Sequence, residues 1–404
     1  SREEKLNLDW DDPWYSVFEN RNLKRQFSAP AQGFIYVEPF EVRKEILIRP
    51  KDLQSWIDLG LDGKETITAA EHEELKSKVA EFLGGHCPMT VDGEAVEFEF
   101  DRIHFVKRTL RRTTVLEEPE DLSLVSAMLG VIYVHRREGL PQKAAMEWDL
   151  FNDRITAVEG ASHDEAGPLP WTVTVDDPVL EWTNYLKNPT LPTFVALTPP
   201  PSRGRWHVPV VSAICLVVAF LCFIGMLRRK GETPRWMVAA SVVALVATAL
   251  AWPVARTSIA NPIAKTPEVG DEQARQLMSD LLRNIYRAFD YRDEEVVYDS
   301  LARSVSGDLL TEIYIDVHKA LVLQGQGGAK VKVDQLEMLE SEPEPLPEGG
   351  GFKVRCLWNV SGKVNHWGHV HTRTNQYEAV FSVEAIEGEW KITNQEFVES
   401  KRVG

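Results

Sequence analysis

Residues 363–375 read KVNHWGHVHTRTN, with His366, His369 and His371 inside six positions and Trp367 and Gly368 between them. Imidazole is a common transition-metal ligand, and three of them can gather around one Zn2+ or Cu2+. On a strand His369 and His371 share a face, and His366 joins them from a turn. No Cys, Asp or Glu stands beside them to complete an outer shell of hydrogen bonds. A plainer reading therefore stands next to the metal one. The stretch is then a hairpin tip whose His and Trp touch a neighbouring domain, lipid headgroups or a partner subunit. No G-x-S-x-G, P-loop, G-x-G-x-x-G or H-E-x-x-H pattern occurs elsewhere, so no catalytic residue is assigned.

The histidines need strands to hold them. FKVRCLWNVSGKV and VHTRTNQYEAVFSV have strand patterns and flank the NHWG connection. Before them, KVKVDQLEML is a strand, and EWKITNQEFVES follows as another. Upstream lie three helical stretches. In DEQARQLMSDLLRNIYRAFDY, Leu277, Leu281, Ile285 and Phe289 fall about one turn apart. DEEVVYDSLARSV opens on acidic residues suited to a helix N-terminus, and SGDLLTEIYIDVHKALVL is the third. Three helices followed by four strands over 269–404, closing on Gly388, Trp390, Lys391 and Ile392, resemble the NTF2-like (SnoaL-like) cone. That superfamily holds enzymes, ligand binders and assembly modules, so the resemblance does not choose among them. Enzymes of the type place an Asp/His pair or a Tyr inside the cone. The matching side chains here are Tyr286, Tyr314, Asp316 and His318.

The centre of the chain sets where these parts sit. Residues 208–227 and 236–255 are uncharged and about 20 long, enough to cross ~30 Å of hydrocarbon as helices. Trp206, Trp236 and Trp252 stand near their ends, where indoles favour the interface. The loop 228–235 carries Arg228, Arg229, Lys230 and Arg235 against Glu232, the pattern of a cytoplasmic loop. Two spans with that loop inside place both termini outside, in the periplasm of a bacterial inner-membrane protein. The chain starts SREEKL, without Met or an apolar leader, so a removed signal peptide is expected. With no ionisable group inside either span, the pair reads as an anchor rather than a transport path.

The net charge of −16 lacks the basic face of a nucleic-acid binder. Four cysteines are too few for a disulfide scaffold. Cys87 and Cys356 lie in the two polar halves and could pair only in an oxidising compartment. Residues 1–30 form an arm in which Trp10, Trp14, Tyr15 and Phe18 either contact a partner or fold back on their own domain. Residues 31–175 are mainly β, a sandwich with one helical insertion. Its strands include FIYVEPFEVRKEILIRP, EAVEFEFDRIHFVKRT, LGVIYVHRR and KAAMEWDLFND. Thr68 and Glu71 form a capping box before the helix. The preceding Asp58, Asp62 and Gly63 approach a calcium loop, but Glu65 and Ala69 occupy positions where a hydrophobic residue and a bidentate Glu are needed. The run EILIRPKDLQSWIDLGLDGKETITAAEHEELKSKVAEFL, with Cys87 and DGEAVEF, resembles the extracytoplasmic domain of hydrogenase/urease accessory permease-like membrane proteins. The resemblance implies an exported β-rich domain, while the many-span permease portion is absent. Residues 176–206 and 257–268 are linkers, the first rich in Pro and Trp.

The expectation is a multidomain membrane protein serving as a non-catalytic extracytoplasmic scaffold or accessory subunit. Its partners would be other membrane subunits and the bilayer. The alternatives are a metal-delivery protein using His366, His369 and His371, with His86 and Cys87 as a further site, or an NTF2-like enzyme or ligand binder.

Overall fold

The computed structural model describes every residue except 1–3, 21, 24–28, 109–112, 190, 192, 200–204, 229–233, 252–256, 261–268, 324–328, 347–349 and 404. The chain is sheet-rich, with helices concentrated after residue 209.

The N-terminal domain has two main sheets, besides two short two-stranded pairings. Its strands are β1 (Ala31–Glu38), β2 (Glu41–Ile48), β3 (Met89–Val91), β4 (Glu94–Val96), β5 (Glu99–Arg108) and β6 (Thr113–Val115). They are followed by β7 (Met128–Arg136), β8 (Lys143–Glu147), β9 (Ala157–Asp164), β10 (Gly167–Thr174) and β11 (Val179–Thr183). The larger sheet runs β10-β9-β1-β2-β7-β5-β6 and the smaller β11-β8-β3-β4. All pairs are antiparallel except β9 with β1. There Gly160 sits opposite Gly33, and a Cβ on Gly160 would fall 2.1 Å from the Gly33 carbonyl oxygen. Only glycine permits that approach.

The core between the sheets holds Ile46, Val131, Tyr133, Met146 and Trp148. Helix α1 (His72–Gly84) packs Leu75, Val79 and Leu83 into it. The expected capping box is present, with Thr68 N and Oγ1 donating to the Glu71 carboxylate at 2.8 and 2.7 Å. The opposite face of the large sheet is also covered. Phe34, Tyr36, Leu47, Ile132 and Val134 form a second apolar cluster there. Hence all eight residues of β2 are buried, Glu41, Arg43, Lys44 and Glu45 included.

Helix α2 (Val210–Leu227) is 18 residues long and uncharged. Helix α3 (Arg235–Ala251), 17 residues, packs on it, with Ser212 Oγ donating to the Thr248 carbonyl at 3.1 Å. Large apolar side chains such as Ile214, Val217, Phe220, Leu221, Val243 and Leu250 point outward. Among the described residues only α2 is long and apolar enough to cross a membrane. The second expected span, 236–255, is described as helix only to Ala251. At the base of the pair, Arg205–Val208 and Thr257–Ala260 form an antiparallel ribbon.

The C-terminal domain contains α4 (Asp271–Ala288), α5 (Glu294–Leu301) and α6 (Leu309–Leu321). An antiparallel meander follows, with β12 (Lys332–Pro345), β13 (Gly351–His366), β14 (His369–Ile386) and β15 (Glu389–Arg402). Register shifts near Val333, Met338, Glu378 and Ser382 bend these long strands. Leu277, Leu281 and Ile285 of α4 pack with Phe352, Val354, Phe381 and Ile392 of the sheet, as the helical spacing predicts.

The segment before α2 joins this core rather than standing apart as a linker. Phe194 and Leu197 pack against it, Asn284 exchanges hydrogen bonds with both backbone groups of Val195 (3.0 and 2.9 Å), and Trp390 N donates to Leu197 O at 2.7 Å. Upstream, Val179–Thr183 pairs with β8 as part of the N-terminal domain.

Candidate functional site

The tip of the β13–β14 hairpin lodges on the outer face of the large N-terminal sheet. The connection is the two-residue turn Trp367-Gly368, with φ of +44 and +75 and with His366 opposite His369. A two-residue hairpin loop with positive φ at both central positions suits Asn-Gly and strains a tryptophan. The strain is held by the socket. Trp367 is 2% exposed and packs into the Phe34, Tyr36 and Ile132 cluster. Its indole lies over Gly130 of β7, where a Cβ would come within 2.4 Å of the ring. Trp367 N donates to Glu45 Oε2 at 2.6 Å and Gly368 N to Tyr36 Oη at 2.8 Å.

Around the tip runs a chain of charges from both domains. Lys332 meets Glu38 (3.4 Å), and Glu38 meets Arg43 (3.5 Å). Arg43 also reaches Glu41 (3.3 Å) and Glu45 (3.4 Å). Arg292, just after α4, bridges Glu41 and Asp101, the latter at 2.7 Å, and Asp101 meets Arg102 at 2.8 Å. Burial opposes the charge on Arg43 and on Arg292, yet the surrounding carboxylates outweigh it and hold both above the usual arginine range. Glu45 fares differently: burial dominates and pushes its carboxyl up to about 7 despite Arg43 and the Trp367 N–H. Phe40 and Tyr291 add a ring contact at 4.3 Å. A cleft of about 590 Å3 lies between the domains beside this chain.

The predicted residues divide as follows. The side chains of His366, His369 and His371 lie outside the described residues. Their backbones place His369 and His371 on one side of β14, as expected. Among the described residues no group of three or more His, Cys, Asp or Glu is placed to hold a metal ion. Trp367 meets the chain's own N-terminal domain. The arm folds back on the same domain. Trp14 packs against the outer cluster beneath Arg49 (4.6 Å), Tyr15 Oη donates to Asp52 Oδ1 (2.7 Å), and Phe18 is half-buried. Arg49, fully buried, pairs with Asp12 at 2.8 Å. Trp10 alone of these is exposed, at 86%.

His86 and Cys87 face Asp149, whose carboxylate meets His86 Nδ1 and accepts from Cys87 N, each at 3.0 Å. Lys44 Nζ donates to the carbonyls of both residues, at 2.8 and 3.3 Å, and so holds the turn that follows α1. Burial pushes the Cys87 thiol far up, which suits a structural cysteine. Cys87 and Cys356 are free and sit in separate cores. Of the residues expected from the sequence to lie inside a cone, Tyr286 and His318 line the cleft, Tyr314 stacks between Phe289 and His318, and Asp316 is exposed.

Sequence reasoning missed Gly130, Glu45, Arg43, Arg292 and Asp290. A glycine inside the otherwise bulky strand LGVIYV signals close approach, and could have marked the socket. No family model matches the chain, and no curated protein matches it. Among solved structures, the intermembrane space region of the chloroplast protein ARC6 is similar over 33% of this chain and 98% of that chain, at 16% identity and a TM-score of 0.25. At that score the likeness decides neither fold nor function.

Proposed function

We propose that this chain is a membrane-anchored, non-catalytic scaffold or accessory subunit of a larger membrane assembly. Its two folded domains work as one docked body on the extracytoplasmic side. The observation that carries the reading is α2, 18 uncharged residues whose large apolar side chains face outward on the sides not packed on α3. Contiguous apolar surface of that extent is unfavourable in water, and 18 residues of helix span about 27 Å, close to a hydrocarbon core. α3 would return beside α2, leaving the basic residues between them in the cytoplasm. Three helices before a bulged four-stranded sheet support an NTF2-like reading of the C-terminal domain, used here for docking. The filled core between α4 and the sheet favours assembly over catalysis in that domain.

Alkaline carbonate extraction of native membranes tests the anchor: the protein should stay in the pellet. Protease added to right-side-out vesicles should cut both flanking domains, and protease added to inverted vesicles neither. Recovery in the carbonate supernatant would overturn the reading.

A further inference from the structure

The two domains meet through a thin and mostly polar contact. Among the described residues they share no sheet. The chain crosses from one to the other once, between Leu186, packed on the N-terminal core, and Thr193, whose carbonyl accepts from Arg287 of α4. Trp367 is the one described member of the outer apolar cluster that the C-terminal domain supplies. Phe40 and Tyr291 add a ring contact, and the ion pairs across are Lys332–Glu38, Arg292–Glu41 and Arg292–Asp101. The cleft of about 590 Å3 beside them keeps the domains from closing into one core. Contacts of this kind between domains are of the separable class.

The tip is also seated in a way that eases departure. Trp367 holds φ +44, which a released turn is free to relax. The Glu45 carboxylate that accepts its amide keeps a second oxygen, Oε1, without a hydrogen bond, and water would satisfy it once the tip has left. Departure would bare Phe34, Leu47, Ile132 and Val134, an apolar face set around two acceptors, Glu45 and Tyr36 Oη. An apolar patch with a polar rim is the mark of a docking surface.

We infer that the Trp367-Gly368 tip is a releasable latch and an autoinhibitory contact. On release the domains part about the single crossing, and the socket takes an indole-bearing β-turn of a partner subunit in place of its own. The socket specifies that chemistry: a flat ring over Gly130 and two successive backbone amides for Glu45 and Tyr36. A lipid tail would leave both acceptors unsatisfied, and in a second copy of this chain the same turn is already buried at home. The docked form is the resting one, and a competing turn shifts the population only by filling the vacated socket.

Thiol labelling of the full-length protein in detergent tests the latch. Val131 and Ile132 are fully buried neighbours on β7, the first in the core between the sheets and the second under the tip, opposite Glu45. Release exposes Ile132→Cys, whereas Val131→Cys needs the N-terminal domain to unfold. Labelling of the first should be about tenfold faster or more, read by mass spectrometry of each modified peptide. Adding Trp367→Ala should speed it about tenfold again and leave Val131→Cys within about threefold. A backbone-cyclised peptide of residues 364–371, VNHWGHVH, should then slow Ile132→Cys labelling saturably, and the same peptide with Ala in place of Trp should not. Equal rates at the two positions would overturn the latch, and the two conservative variants read this without touching the tip. Failure of the peptide to protect, or equal protection by its Ala form, would overturn the partner chemistry. So would labelling that slows as protein concentration rises, which would put a second copy in the socket. None of these rates depends on where the helices sit, so the latch and the membrane anchor stand or fail separately.

Discussion

Trp10 and Trp367 both sit in tight connections of the chain, yet one is 86% exposed and the other 2%. Both turns are well held. Asp9 Oδ1 accepts from the Asp11 and Asp12 amides (3.0 and 2.8 Å), and its other oxygen meets Arg154 at 2.8 Å, which fixes the loop that carries Trp10 outward. What separates the two is the surface opposite. Trp367 finds a strand position with no side chain, Gly130, and a buried carboxylate for its backbone amide, Glu45. The lesson is that the receiving surface, and not the aromatic residue or its turn, decides which tip becomes core.

Trp367→Ala should break the comparison most strongly. Emptying the socket is expected to cost about 3–5 kcal/mol, and chemical denaturation should change from one transition to two as the domains uncouple. A single transition at the wild-type midpoint would mean the tip does not join them. Next comes Arg292→Met, which leaves Glu41 and Asp101 facing each other. A loss of about 2–4 kcal/mol is expected, partly restored by adding Glu41→Gln. Gly130→Ala puts a methyl where the indole sits and should cost about 1–3 kcal/mol. Combined with Trp367→Ala it should cost almost nothing more, so additive losses would show that the two residues do not meet.

Proton linkage should be smaller, on the order of 1 kcal/mol between pH 8 and 6. The Glu45 carboxyl is held at about 7 in the folded protein against an ordinary 4.5. The folded state therefore binds that proton more tightly, and its stability falls as pH rises from 4.5 to 7. Asp290 acts in the same direction. His163 acts oppositely: burial lowers it from 6.5 to about 4, and stability is lost as pH falls through that window. Tm should rise from pH 8 to 6 and fall again below 5, and Glu45→Gln should flatten the upper limb. Trp10→Ala should change stability least, within about 0.5 kcal/mol, while reducing co-extraction of a partner subunit. A large stability loss there would place Trp10 in a contact inside its own domain.

Local features were legible from the sequence. The Thr68–Glu71 cap, the amphipathic face of α4 and the NHWG turn follow from spacings of a few residues. What spacing cannot carry is pairing over long separations. The parallel match of β9 to β1 and the meeting of Trp367 with Gly130 join residues far apart in the chain. β2 shows the physical reason. Its sequence EVRKEILI alternates in part, which suggests polar side chains facing water. The polar side is instead covered by the C-terminal domain, so Glu41, Arg43 and Glu45 become an internal ion network. Lys44, on the apolar side, enters the core and holds the turn after α1 through the His86 and Cys87 carbonyls. Alternation records two unlike faces, and does not say that one of them is wet.

The stretch at Phe194–Leu197 precedes α2 in the chain but is gripped by the domain that follows α3. Mechanically this makes a short circuit. A pull exerted on α2 along its axis is borne first by Asn284 and Trp390, before any load reaches the N-terminal sheets. The same grip ties the chain that approaches the helical pair to the domain that follows the pair in sequence.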